Sequence, residues 1–181
     1  MFRWLKRRPR ADTIQGLYGA IVAQARKPAF YADYGVPDTP EGRFDMILLH
    51  LILFVRRLRR EPGPIRALGQ GVFDLFCRDM DHNFREMGIG DLAVPKHMRR
   101  VAEAFYGRAS AYDAAIDGVG EQLTAVLARN IFPPSSGPCD GARRLADYVH
   151  RTLDELDRQE AEGFAQARVS FPDPALIVTS A

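Results

Sequence analysis

Along most of this chain apolar positions recur every three or four residues, the spacing of one helical face, and alternating strand patterns are nearly absent. Ile14, Leu17, Tyr18, Ile21, Val22 and Ala25 predict a first helix that Pro28 stops. An aromatic connection follows, Phe30-Tyr31-Ala32-Asp33-Tyr34-Gly35-Val36-Pro37. Thr39 then suits an N-cap, Pro40 the first helical position and Glu41 the positive end of the helix dipole. The run Phe44 to Leu58 is apolar on nearly every side, and a helix apolar all round is buried all round. We expect it at the centre of the core. It ends in Arg56, Arg57, Arg59 and Arg60, which read first as a dipole complement and solvated face and second as a membrane contact. Pro62-Gly63-Pro64 closes it.

From Ile65 to Met87 the spacing predicts a long helix with Phe73, Phe76, Met80, Phe84 and Met87 on one stripe. Gly88 fits the left-handed position just past its end, with Ile89 as the hydrophobic partner. Pro95 begins another helix through Met98, Val101, Phe105, Tyr106 and Tyr112. Leu123, Val126, Leu127 and Ile131 mark a shorter one, followed by a Pro/Ser/Gly loop. The last helix, about Ala142 to Ala167, is acidic and thinly apolar, so we expect it to lie across the body as an outer helix. The expected fold class is all-α: a single compact domain of about six or seven helices around a buried central one. Residues 1–12 read as a basic N-terminal segment, 13–168 as the helical domain, and 169–181, with Pro172 and Pro174, as a loose C-terminal tail.

A chain of 181 residues supports one such core without covalent staples. Its charge is uneven. Five of the 25 basic residues fall in the first ten positions with no acid among them, leaving 20 basic against 23 acidic residues in the rest. The body is therefore not a nucleic-acid binder. The first residues, Phe2, Arg3, Trp4, Leu5, Lys6, Arg7 and Arg8, mix aromatic and basic side chains and suit a membrane surface. At about 1 kcal/mol per basic residue near an anionic leaflet, such an arm supports weak, reversible docking of about 0.1 mM or tighter. A disordered tail that aids solubility is the equal alternative. The longest apolar stretch, Met46 to Val55, holds His50 and falls well short of the roughly 20 residues a membrane span needs. No secretory apolar core follows the basic start, and Asp12 together with the lack of Ser argues against a mitochondrial presequence. A cytoplasmic, peripherally membrane-associated location is expected.

Chemistry-bearing patterns are sparse. Cys77 and Cys139 make no disulfide framework and read as free thiols, Cys77 as buried filler. His50 reads as a satisfied core histidine rather than a ligand. Asp79-x-x-His82 is a single acid-x-x-His, whereas carboxylate di-iron bundles need two with further carboxylates, so no metal or cofactor is expected. The densest polar run is Asp79 to Lys96. The i,i+4 ion pairs in and just before it, Asp81/Arg85 and Asp74/Arg78, are worth roughly 0.2–0.5 kcal/mol each when exposed, too little to account for the density. A solvated face with capping is the plainer reading. The sharper one is a recognition surface of Asp79, Asn83, Arg85, Glu86, Gly88, Gly90, Asp91, Pro95 and Lys96 around a rigid two-glycine corner.

These residues also carry a likeness. Phe30-Tyr31, Gly35-Val36-Pro37-Asp38-Thr39, Gly42-Arg43-Phe44-Asp45, Asp79-x-Asp81-x-Asn83-x-Arg85-Glu86-x-Gly88-x-Gly90-Asp91 and Val94-Pro95-Lys96 occur in order. Together they resemble the ubiquinol–cytochrome c chaperone family, assembly factors of respiratory complex III, from roughly Leu17 through Phe132. Phe84 stands where an aliphatic residue is common, and neither the extreme N-terminus nor the region after Phe132 matches clearly. The resemblance implies an all-helical, non-enzymatic chaperone that stabilises newly made cytochrome b and assists assembly of the ubiquinol–cytochrome c reductase complex. It brings no catalytic residues. It implies cytochrome b or another complex III assembly factor as partner, and the absence of a presequence favours a bacterial-type member. On the residues alone, a general peripheral membrane adaptor and a helical carboxylate metalloenzyme stay open. The helix ends and the Phe30–Tyr34 aromatics are expected to border a client groove.

Overall fold

The computed structural model describes residues 8–119, 122–133 and 140–177, with side chains from Ala11 onward. Its elements are α1 (Arg8–Ala25), α2 (Pro28–Ala32), α3 (Pro40–Leu58), α4 (Gly63–Glu86), α5 (Val94–Ile116), α6 (Leu123–Ile131), α7 (Asp140–Arg158), α8 (Ala161–Ala165) and a 3₁₀ turn at Pro174–Leu176. There is no strand among the described residues. The all-α expectation holds, with α2 and α8 as single short turns beside six longer helices. α1 already begins at Arg8, inside the segment read as a basic arm. Phe2 to Arg7 lie outside the described residues, as does Cys139.

The central helix is where its composition puts it. Met46 through Phe54 are all buried, and α3 packs against α1, α4, α5, α6 and α7. Each such apolar side chain contributes about 1.5–3 kcal/mol on burial. Its start is built as expected: Thr39 Oγ1 accepts the Gly42 N–H at 3.1 Å, and Pro40 occupies the first turn. Gly42 is required by space, since a Cβ there would stand 2.0 Å from the Pro37 carbonyl oxygen.

His50 is a fully buried core histidine, and it anchors a polar chain through the core. Its Nδ1 lies 2.7 Å from the Met46 carbonyl, which only accepts, so Nδ1 carries the proton. Nε2 then accepts from the Tyr148 hydroxyl at 2.7 Å. That hydroxyl accepts in turn from Gln24 Nε2 at 2.9 Å, and Gln24 Nε2 also donates to the Pro172 carbonyl at 2.8 Å. Four stretches of chain, on α1, α3, α7 and the C-terminal segment, are thereby joined with these buried groups satisfied. Burial pulls the His50 imidazole down to about 4 and holds the Tyr148 phenol above its usual range.

Three expectations change in three dimensions. The last helix is not one outer helix from Ala142 to Ala167. α7 stops at Arg158, a separate α8 follows, and Leu145, Tyr148, Val149, Thr152 and Leu156 are wholly buried. The stripe is narrow, but it is pressed into α3 and α6. The end of α7 is capped from a distance: Arg57 donates to the Leu156 carbonyl at 2.9 Å and the Gln159 carbonyl at 3.1 Å while lying over the Phe164 ring.

Second, the segment from Val169 is docked as far as the structure describes it. Tyr34 Oη donates to the Pro174 carbonyl at 2.9 Å, Gln159 bonds both the N–H and the carbonyl of Ser170, and Phe171 meets the His50 ring edge-on. Third, the arginine run at the end of α3 is no free basic patch. Arg56 pairs with Asp113 at 2.8 Å and Asp117 at 2.5 Å, Arg59 with Asp113 at 2.8 Å, and Arg60 with Asp157 at 3.0 Å. It stitches α3 to α5 and α7.

Candidate functional site

The polar run from Asp79 to Lys96 forms the corner between α4 and α5. α4 ends in a two-bond glycine cap. Gly88 takes φ +80°, its N–H reaches the Arg85 carbonyl at 3.0 Å, and the Ile89 N–H reaches the Phe84 carbonyl at 3.1 Å. The chain turns again where the Ala93 N–H bonds the Gly90 carbonyl at 2.8 Å. Val94 is buried beneath the turn, and the Phe84 and His97 rings lie 5.1 Å apart across it. Pro95 sits in the first turn of α5. The corner is therefore held by backbone bonds and an apolar underside, which leaves its outer side chains free of structural duty.

Arg85 spans the corner. Its Nε donates to Asp81 at 2.8 Å and its Nη1 to Asp91 on the far side of the glycines. Glu86 pairs with His82 at 3.0 Å. These contacts are exposed and worth roughly 0–1 kcal/mol each, so their effect is to fix where charges stand rather than to hold the fold. Asn83 is half-buried and makes no side-chain hydrogen bond to another described residue, and Lys96 is exposed without an ion-pair partner among them.

Asp79 differs from its neighbours. It accepts the Tyr18 hydroxyl at 2.7 Å and ties α1 to α4, while burial and this contact hold the Tyr18 phenol above its usual range. The structure thus places Asn83, Arg85, Glu86, Gly88, Gly90, Asp91, Pro95 and Lys96 along the α4–α5 corner, joins Arg85 to Asp91 across it, and turns Asp79 to α1.

Two residues of this corner escaped the reading of the sequence. Met87 keeps the spacing of the α4 apolar stripe, but as the capping residue it points outward and is 73% exposed. Leu92, between Asp91 and Pro95, is 100% exposed. A leucine inside a polar two-glycine turn was the available signal. Both leave apolar side chains exposed at a charged corner, and Met and Arg are residue types enriched at protein interfaces.

Other candidates resolve differently. Phe30 and Tyr34 are core residues, and of that aromatic segment Tyr31 borders an open depression with Arg26, Asp38 and Arg43. Burial pushes the half-buried Cys77 thiol up, which disfavours the reactive thiolate. Asp79 and His82 do not converge, since one faces Tyr18 and the other Glu86.

The comparisons with known proteins bear on the fold and the family. Residues 32–171 match the model of the family described as ubiquinol-cytochrome C chaperone. The chain belongs to that family. The matched span begins later than Leu17 but runs past Phe132 through α7 and α8, so the family body includes the docked C-terminal helices. The chain is 25% identical over 149 residues to ubiquinol-cytochrome-c reductase complex assembly factor 1 of Xenopus laevis, covering 81% of this chain and 73% of that protein. It is 24% identical over 149 residues to the human factor of that name, covering 81% of this chain and 49% of the human protein. The crystal structure of the Cbp3 homolog from Brucella abortus superposes with a TM-score of 0.86 at 38% identity, over 98% of this chain and 100% of that one. The all-helical chaperone fold expected from the sequence is thus the fold of the family.

Proposed function

We propose that this chain is a non-enzymatic assembly chaperone that binds newly made cytochrome b, or a second assembly factor holding it, and assists assembly of the ubiquinol–cytochrome c reductase complex. The α4–α5 corner is its recognition surface. The observation that carries this reading is the corner itself: a family-matched segment, rigid by backbone bonding, that exposes Met87 and Leu92 among ordered charges. Preordered contacts lose little entropy on binding. An apolar crest ringed by Arg85, Glu86, Asp91 and Lys96 fits a partner surface with an apolar centre and a polar rim.

The client is a membrane protein, so the chaperone works at the membrane surface, on the cytoplasmic side. No helix among the described residues is long and apolar enough to cross a membrane. The basic-aromatic residues Phe2 to Arg8 supply weak electrostatic docking to that surface.

The test is a tagged pull-down from detergent-solubilised membranes with mass spectrometry of the partners. Enrichment of cytochrome b is expected, together with its loss when Asn83, Arg85 and Glu86 are changed to alanine. A broad set of membrane proteins without cytochrome b would replace this reading with a general adaptor. Unchanged capture and unchanged complex III levels in a folded triple variant would remove the corner as the recognition surface.

A further inference from the structure

A second feature lies away from the corner. Between α4, α5 and the end of α3 runs an open groove of about 450 Å³. Its floor is aromatic: Phe73 and Phe105 have ring centroids 4.4 Å apart, and Tyr106 packs on both at 6.0 and 5.4 Å. Tyr106 is nevertheless 62% exposed, because one side of its ring faces the groove and solvent. The α4 wall is low where Gly63 and Ala67 line it, and a Cβ placed on Gly63 would meet nothing within 4 Å. The rim carries Arg59 and Arg66, and no carboxylate among the described residues lines the groove. Arg59 is already paired with Asp113. Arg66 is exposed, gives its Nε to the Glu61 carbonyl at 3.2 Å, and has no ion-pair partner among the described residues.

We infer that this groove docks an apolar helical segment of a partner protein that carries a carboxylate beside its apolar face. Three properties select that occupant. The space has the size of sites that bury a few side chains, too small for the paired acyl chains of a phospholipid. The aromatic floor takes apolar anchors at i, i+3 or i+4 and i+7 of a helix, the groove-binding mode of amphipathic segments. The guanidinium of Arg66 stands at the rim of the apolar floor and matches a carboxylate in a two-pronged hydrogen bond. A lysine at the same place in the partner would face Arg66 with like charge. The groove is separate from the α4–α5 corner, so the chain holds two protein-binding surfaces. The inference rests on the reading of the chain as a binder of protein partners, not on the identity of the client.

The experiment uses the full chain and two labelled helical peptides with the same apolar face, one flanked by glutamates and one by lysines, read by fluorescence anisotropy. We expect the glutamate peptide to bind at least about tenfold more tightly than the lysine peptide, a difference of about 1.4 kcal/mol. Arg66→Glu should reverse the preference, and Ala67→Trp, which fills the groove, should abolish binding of both. Arg66 is exposed, so its variant keeps the test valid where Ala67→Trp lowers stability. No binding of the glutamate peptide, equal binding of the two, or binding indifferent to both variants overturns the proposal. Vesicles of phosphatidylglycerol serve as competitor: binding of vesicles that both variants abolish, with no peptide preference, makes the groove a lipid site and overturns it too. Capture of cytochrome b by the wild-type chain tests the assembly function separately.

Discussion

Acid should weaken this fold through one residue, well before the carboxylates are neutralised. His50 is fully buried, and its two nitrogens are committed to the Met46 carbonyl and the Tyr148 hydroxyl. A proton on Nε2 would meet a hydroxyl already donating to it and would put a charge in the core. Burial accordingly lowers the imidazole from 6.5 to about 4, with the Met46 bond opposing only part of that shift. The unfolded chain takes up the proton near pH 6.5, while the folded chain does not until about pH 4. Between these values the unfolded state holds more protons, so stability rises with pH. The contribution is full above pH 6.5 and is lost as pH falls through the folded value. At about 1.4 kcal/mol per pH unit, the loss is about 2 kcal/mol from pH 7 to pH 5 and about 3 kcal/mol by pH 4. Against a total of about 5–15 kcal/mol this is readily measured. Urea unfolding at pH 7, 6 and 5 on the wild type and on His50→Gln, which cannot titrate there, isolates it. The wild type should lose about 2 kcal/mol more than the variant over that range. Parallel curves would refute the argument and place the proton elsewhere.

Tyr148→Phe keeps the ring and removes the hydroxyl that serves both His50 and Gln24; leaving a buried acceptor unsatisfied costs about 1–3 kcal/mol, seen as a lowered urea midpoint at pH 7 with an unchanged slope. Gly42→Ala drives a methyl into the Pro37 carbonyl and should cost about 2–3 kcal/mol; a melting temperature equal to that of the wild type would show that the α3 start relaxes freely. Met87→Asp and Leu92→Asp together should leave the melting temperature within the ~0.5 kcal/mol band of surface changes yet abolish capture of cytochrome b; capture at the wild-type level would remove the apolar crest from recognition. Deleting residues 1–7 should abolish co-sedimentation with anionic vesicles at low salt; vesicle binding that survives would move the membrane contact elsewhere.

Local rules placed most of the helix boundaries and the α4–α5 corner, because each depends on a few neighbouring residues. Thr39 and Pro40 start α3, Pro28 ends the first helix, and Gly88 with Ile89 caps α4, each within a turn of the residues responsible. The central position of α3 was also readable, since a helix with no polar face has no stable place except inside.

The polar partnerships were not readable, and they decide which charged residues are available for function. Asp79 looked equivalent to Asn83 and Arg85, but the Tyr18 hydroxyl, 61 residues away, claims it. The arginines ending α3 read as a dipole complement and solvated face, with a membrane contact second, but Asp113, Asp117 and Asp157 meet them across helix interfaces. Met87 kept the apolar spacing yet faces outward, because the cap bends the chain at that residue.

By itself, then, the sequence determined α1 and α3 to α6, the core helix among them, and a corner whose geometry two glycines and a proline dictate. Only the tertiary structure decided that α7 is buried, that α8 stands apart, and that residues 169–177 close against the body. The physical reason lies in the bonds that hold those parts. The C-terminal segment is held largely through the carbonyls of Ser170, Pro172 and Pro174, and the end of α7 through the carbonyls of Leu156 and Gln159. Every residue carries such an oxygen, so only the arrival of Gln24, Tyr34, Arg57 and Gln159 in space selects which ones are used.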